Sequence, residues 1–402
     1  MNRRTRVLPV LAAVLACVAL PQPAWADVPR IPNGRSCLPP PVASAGTVPW
    51  AQQQLAPQRI WSLTRGAGVT VAVVDTGVDG GAVQLSGRVQ PGLDVRGPGN
   101  SPANTDCFGH GTFVAGIIGA APVGGTMFAG VAPEATILPI RIADDATDTT
   151  AAMLAKGIRT AVDRGARVVN VSASSPLKDG DMEAAVAYAV ARDVLVVASA
   201  GNSAEEGNPT PYPASFESVM AVGATDQTGK RASFSDTGSY LDLAAPGVDV
   251  CSIGPGGPGQ WEASGTSYAA PFVSGVAALV RAYRPGLTAA QVKHRLEATA
   301  DRPPANVPDA AFGWGTVNPA AAVTAVLPEE GPAGAAQAPI PPGAHAVPAP
   351  VRDRISGVLV ALSVLGVILV GAVAVLSVRL VPIGMRRRWR PARSVEVLPA
   401  EE

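Results

Sequence analysis

Lysine is almost missing from this chain of 402 residues: 27 of the 31 basic side chains are arginine and only 4 are lysine, a bias we read as genomic rather than functional. Charge of either sign is sparse, at 15% of residues, and the 31 basic and 31 acidic groups cancel. Without a surplus of Lys and Arg a chain has little with which to neutralise phosphates, which argues against a nucleic-acid partner. Aromatics make up 4%, and there are only three histidines and four cysteines. Apolar residues, at 47%, are plentiful, and the mean hydropathy is positive. Part of the chain is therefore expected in a membrane. Gly (43) and Pro (39) make about a fifth of the residues and signal many turns. The length allows one large α/β domain or two smaller ones.

The two ends set the expected topology. Arg3, Arg4 and Arg6 precede a mostly apolar run over 7–20, and Ala24-Trp25-Ala26 follows. This is the three-part layout of a secretory signal, 1–26, with cleavage leaving Asp27 first. The apolar run is short for an uncleaved anchor, and a lipoprotein site at Cys17 is the weaker alternative. Residues 355–378 carry no charge over 24 positions; at ~1.5 Å per residue they reach about 36 Å, enough to cross a bilayer. Arg379, Arg386, Arg387, Arg388, Arg390 and Arg393 follow, against Arg352 and Arg354 before. The positive-inside rule puts this basic tail, 379–402, in the cytoplasm and the body outside, so a single-pass cell-membrane protein is expected. Between body and anchor, 328–354 is rich in Pro and Ala, with seven prolines between 328 and 350. It reads as an extended stalk.

The remaining residues, an extension over 27–50 and a domain over 51–327, suffice for one substantial core. Val69-Thr70-Val71-Ala72-Val73-Val74 is β-branched and nearly continuously apolar, like a buried parallel strand. Similar runs occupy 135–142, 168–171, 194–198 and 219–222, with helix-like stretches at 149–164 and 182–192 between them. The alternation predicts an α/β fold with a mainly parallel sheet covered on both faces. Sites in such folds lie beyond the carboxyl ends of the strands.

Four patterned segments stand at such ends. Asp75-Thr76-Gly77 follows the first strong strand, and 35 residues on Gly109-His110-Gly111-Thr112 opens an apolar helix. The other histidines, His294 and His345, lie in a basic helix and in the stalk. Ala200-Gly201-Asn202 follows the strand at 194–198, and Gly265-Thr266-Ser267-Tyr268-Ala269-Ala270-Pro271 leads into another apolar helix. Pro271 is expected in that helix's first turn, where a missing N–H costs nothing. Alone, Asp75 reads as a turn former, His110 as a core or capping residue, Asn202 as a turn and Ser267 as a cap. Together they supply a hydroxyl nucleophile, its base, a carboxylate to orient the base, and a donor for an oxyanion.

These segments, in the chain order Asp, His, Asn, Ser, resemble the signatures of the subtilisin-like serine proteases over roughly residues 50–325. The resemblance implies a doubly wound subtilisin-like fold and a serine endopeptidase acting on polypeptides, with Asp75, His110 and Ser267 catalytic and Asn202 in the oxyanion hole. It makes Ser172, Ala173 and Ser174 one wall of the substrate cleft, although Ser174 and Ser175 depart from the usual Gly-rich end. Asp144, Asp145 and Asp148 would follow the other wall, either favouring basic substrates or forming a solvated acidic turn. The whole layout is most similar to the mycosins, the membrane-anchored subtilases associated with type VII secretion in actinobacteria. That implies secreted substrates and a partner in the secretion membrane complex. A protease-fold brace for that complex and a general surface maturation protease are the rival readings.

Mycosins also resemble this chain in an N-terminal extension tied near the catalytic histidine, which implies a Cys37–Cys107 disulfide; Cys251 then has no evident partner. The extension is short for a folded inhibitory prodomain, so no autocatalytic removal is expected. No cofactor is called for and no metal-ligand cluster is visible, though calcium held by loop carbonyls would leave no trace in sequence.

Overall fold

The structure, a computed structural model, describes residues 28–32, 36–145 and 148–330. The expected signal, the transmembrane segment, the basic tail and all but the first three residues of the stalk lie outside them. Among the described residues no helix is long and apolar enough to cross a membrane.

The centre is a seven-stranded sheet in the order β2-β3-β1-β4-β5-β6-β7, every neighbouring pair parallel. Its strands are β1 (Thr70–Asp75), β2 (Leu93–Asp94), β3 (Thr136–Arg141), β4 (Val168–Val171), β5 (Leu195–Ser199), β6 (Met220–Thr225) and β7 (Leu243–Pro246). The five apolar runs of the sequence correspond to β1, β3, β4, β5 and β6. β2 has two residues, and β7, Leu-Ala-Ala-Pro, lacks a β-branched side chain, so neither carries the composition that marks a strand. β8 (Val250–Ile253) and β9 (Gln260–Ala263) form a separate antiparallel hairpin.

Because strand side chains alternate between faces, the sheet separates two cores. Val71 and Val73 of β1 and Leu195 and Val197 of β5 join one; Ala72, Val74, Val196 and Ala198 join the other. On the first face lie α2 (His110–Gly119) and α5 (Thr266–Tyr283), with the short α1 (Trp50–Leu55), α6 (Ala289–Ala298) and α7 (Pro319–Thr324) around them. On the second lie α3 (Ala151–Asp163) and α4 (Gly180–Ala191). Their caps are legible: Thr150 accepts from the Met153 N–H and Asp179 from the Met182 N–H. α5 is buried nearly all round, as a helix apolar on every side must be.

The described part of the N-terminal extension lies along the β8–β9 hairpin. Glu262 N–H donates to Pro29 O, Ile31 N–H to Glu262 O and Gln260 N–H to Ala43 O. The Cys37–Cys107 disulfide fastens it beside α2, and Leu38, buried, donates its N–H to Cys107 O at 2.7 Å. Cys251 is a free, buried thiol, which burial pushes well above the usual thiol range.

Candidate active site

Asp75 ends β1, and His110 is the first residue of α2. The turn after β1 and the start of α2 touch so closely that a Cβ on Gly111 would lie 2.0 Å from Gly77 O. Across this contact His110 Nδ1 is 2.8 and 2.9 Å from the two carboxylate oxygens of Asp75. Asp75 is buried, and the His110 side chain is 16% exposed. Burial alone would lower the imidazole pKa, but the charge and hydrogen bond of Asp75, helped by Asp106, outweigh it, so the net shift is upward.

Asp106 sits behind this pair and accepts from Thr76 Oγ1, the Gly109 N–H, and the N–H and hydroxyl of Thr112. Thr76 Oγ1 in turn accepts from the Gly111 N–H. One buried carboxylate thus joins the turn after β1 to the N-terminus of α2. Burial raises its pKa, against the pull of those hydrogen bonds. The sequence reading missed Asp106; its place four residues before His110 and its acceptor-only chemistry were the available signal.

Ser267 is the second residue of α5, half-buried, where its N–H has no carbonyl one turn back to bond. Its Oγ donates to Ser172 O at 2.9 Å, and Ser172 Oγ donates to Ser267 O at 2.8 Å. Pro271 explains the second bond and corrects the expectation drawn from it. It is the sixth helical residue, in the second turn, where its missing N–H frees the carbonyl of Ser267 four residues earlier. Ser172 takes that carbonyl, and buried Asn170 links the arrangement inward, donating to Ser172 Oγ and accepting from Ser274 Oγ. Tyr268 packs between His110 and Phe113, with ring centroids 5.2 and 4.7 Å away.

Asn202 follows β5. Its Oδ1 accepts from the N–H of Thr266 at 2.8 Å and from its hydroxyl at 2.9 Å, so the side-chain NH2 remains as the donor end. Asn202, His110 and Ser267 line one cleft of about 450 Å³ with Ser172, Ala173, Ser174 and Asp145. Ile31, Cys37 and Leu38 of the extension border the same cleft. Of the three acidic residues after β3, Asp145 borders the cleft, and Asp144, largely exposed, pairs with Arg96. His294 pairs with Glu329 on the surface, away from the cleft; His345 lies outside the described residues. Among the described residues no group of three or more His, Cys, Asp or Glu is placed to hold a metal.

The model of the subtilase family (peptidase S8) matches residues 66–315, a span that includes all four segments. The chain belongs to the subtilase family. This subtilase is 38% identical to Mycosin-4 of Mycobacterium tuberculosis, the match covering 73% of this chain and 72% of that protein. It is 33% identical to Mycosin-1 of Mycolicibacterium smegmatis over 91% of this chain and 97% of the other. Among solved structures it is similar to that of "a serine protease MycP1, an essential component of the type VII (ESX-1) secretion system". There the TM-score is 0.63 at 32% identity, covering 76% of this chain and 97% of that one. The subtilase is accordingly a subtilisin-like serine endopeptidase, with mycosins among its relatives.

Proposed function

We propose that this subtilase hydrolyses polypeptides through an acyl-enzyme, with Ser267 as nucleophile, His110 as base and Asp75 as the carboxylate that orients it. The observation that carries the reading is the bond from His110 Nδ1 to Asp75 at 2.8 Å, in the cleft that Ser267 also lines. A carboxylate at that distance favours the proton on Nδ1, which in this reading leaves Nε2 as the basic nitrogen. A hydroxyl has one proton to donate, so Ser267 must rotate away from Ser172 O before it can give that proton to Nε2. Oγ then attacks the scissile carbonyl, whose oxygen becomes an anion held by the Asn202 NH2 and the Ser267 N–H. Collapse breaks the C–N bond, and Nε2 returns the proton to the leaving amine. Water, deprotonated by the same nitrogen, hydrolyses the ester. Ser172, Ala173 and Ser174 form one wall for the bound peptide.

The protease domain lies on the extracytoplasmic side of the cell membrane, anchored by the 355–378 segment through the 328–354 stalk. Its substrates are secreted polypeptides, and its partner is a type VII secretion membrane complex. The charge asymmetry around 355–378 supports the topology, and the likeness to MycP1 supports the setting. Fluorophosphonate labelling of the full chain in membranes, beside Ser267→Ala, tests the chemistry. Labelling confined to the wild type is expected. A folded wild-type chain that takes no label would assign the fold to bracing instead.

A further inference from the structure

The turn that presents Asn202 is held from two sides. From α5, Thr266 engages Asn202 Oδ1 and its hydroxyl accepts the Gly201 N–H at 3.2 Å. From the other side comes Asp236, in the loop between β6 and β7. Its N–H donates to Gly201 O at 3.1 Å, and its Oδ1 accepts the Ser203 N–H at 2.7 Å. Asp236 therefore grips the residues immediately before and after Asn202. It also fills the concave side of the turn: Gly201 has φ +97°, and a Cβ there would stand 2.1 Å from Asp236 Oδ2. The neighbouring Ala204 N–H to Phe234 O and Thr237 N–H to Asn208 Oδ1 bonds dock the rest of the two loops. Among these contacts Asp236 alone brings a carboxylate, and it is 1% exposed.

We propose that Asp236 is a positioning residue for the hydrolysis, setting the direction in which the Asn202 NH2 enters the cleft. The inference rests on the reading of Asn202 as an oxyanion donor. Thr266 holds the amide oxygen end of that side chain and the Gly201 N–H before it, while Asp236 holds the backbone on both sides of Asn202. A donor works only within hydrogen-bond reach of the developing anion, and a displacement of about 1 Å at a reacting group costs up to ~10²-fold. Burial pushes the Asp236 carboxyl up to about 6, with Arg231 opposing and Glu206 adding to the rise. Near neutral pH the site thus carries a charge that costs stability, which fits a residue kept for function.

The test is the rate of phosphonylation of Ser267 by a fluorophosphonate probe, resolved into kinact and KI, in the full chain. Asp236→Ala is expected to lower kinact about tenfold with KI unchanged, since an oxyanion donor acts only in the transition state. Asp236→Asn, which keeps an acceptor and the volume, should return kinact to within about threefold. In an Asn202→Ala background, itself slower by ~10², Asp236→Ala should have no further effect. Should Asp236→Ala fail to fold, Asp236→Ser, which is too short to reach Ser203, carries the same comparison. Equal losses in both backgrounds, a rise in KI alone, or full kinact in a folded Asp236→Ala or Asp236→Ser chain overturns the proposal. Wild-type kinact in Asn202→Ala removes instead the oxyanion reading on which it rests.

Discussion

In the proposed mechanism His110 is a base, which it can be only when neutral, so its pKa should set where activity fails on acidification. The Asp75 contact raises that pKa above 6.5 against the effect of burial. The acid limb of the kcat/KM profile is therefore expected above 6.5, the ordinary imidazole value. Asp75→Asn removes the charge but leaves the burial. It should shift the limb to lower pH and reduce kcat by ~10⁴, the loss found when a triad carboxylate is made neutral. A limb that stays in place in the variant would separate Asp75 from the titration. Asp236 gives a second, opposite dependence. Its folded pKa of about 6 exceeds the ordinary 3.8, so its contribution to stability is full below 3.8 and is lost as pH rises through 6. The stability of wild type relative to Asp236→Asn should accordingly decline between these values, as measured by urea unfolding at several pH values; a flat difference would mean that the carboxyl titrates normally.

Helix α2 and the turn after β1 are joined backbone to backbone, and that contact tolerates no side chain. With 2.0 Å available to a Cβ at Gly111, Gly111→Ala must push His110 away from Asp75. We expect it to cut kcat at least tenfold, given the ~10²-fold cost of an ångström at a reacting group, while the chain stays folded by circular dichroism. Wild-type kcat in that variant would mean that α2 shifts without moving the imidazole. The disulfide acts on a larger element. It closes a loop across a sequence separation of 70, which the chain-entropy model values at ~4 kcal/mol, an upper figure. Cys37→Ser should lower unfolding free energy in urea by up to that amount. It should also loosen the extension where Ile31 and Leu38 border the cleft, read as faster hydrogen exchange over 28–48. An unchanged exchange pattern would show that the hairpin contacts alone hold the extension.

At the scale of the whole molecule, the body is a protease domain whose cleft opens where β1, β4 and β5 end, and the proposal for its place in the cell rests on residues outside the described structure. The charge pattern around 355–378 predicts that the full chain sediments with membranes and resists carbonate extraction, while a chain stopped after Glu330 is released. Release of both would remove the anchor from the proposal.

Much of the site was legible because its chemistry sits in local patterns. Asp75-Thr76-Gly77, the Gly-His-Gly at 109–111 and the Ser267 segment each combine a reactive side chain with the backbone freedom its turn or helix start requires. The strongly apolar strands were equally plain, since a strand buried on both faces needs apolar residues at successive positions. Sequence patterning alone therefore determined the fold class, the order of the reactive residues and the charge asymmetry of the two ends. Tertiary structure alone decided what holds them in place. Asp106 bridges two elements, Asp236 reaches Ser203 across 33 residues, and Ser172 takes a carbonyl that Pro271 leaves open. Each includes a hydrogen bond, buried or partly buried, between segments distant in the chain. Such a bond has no period and no spacing, and forms only when packing removes both groups from water and leaves each the other as its partner.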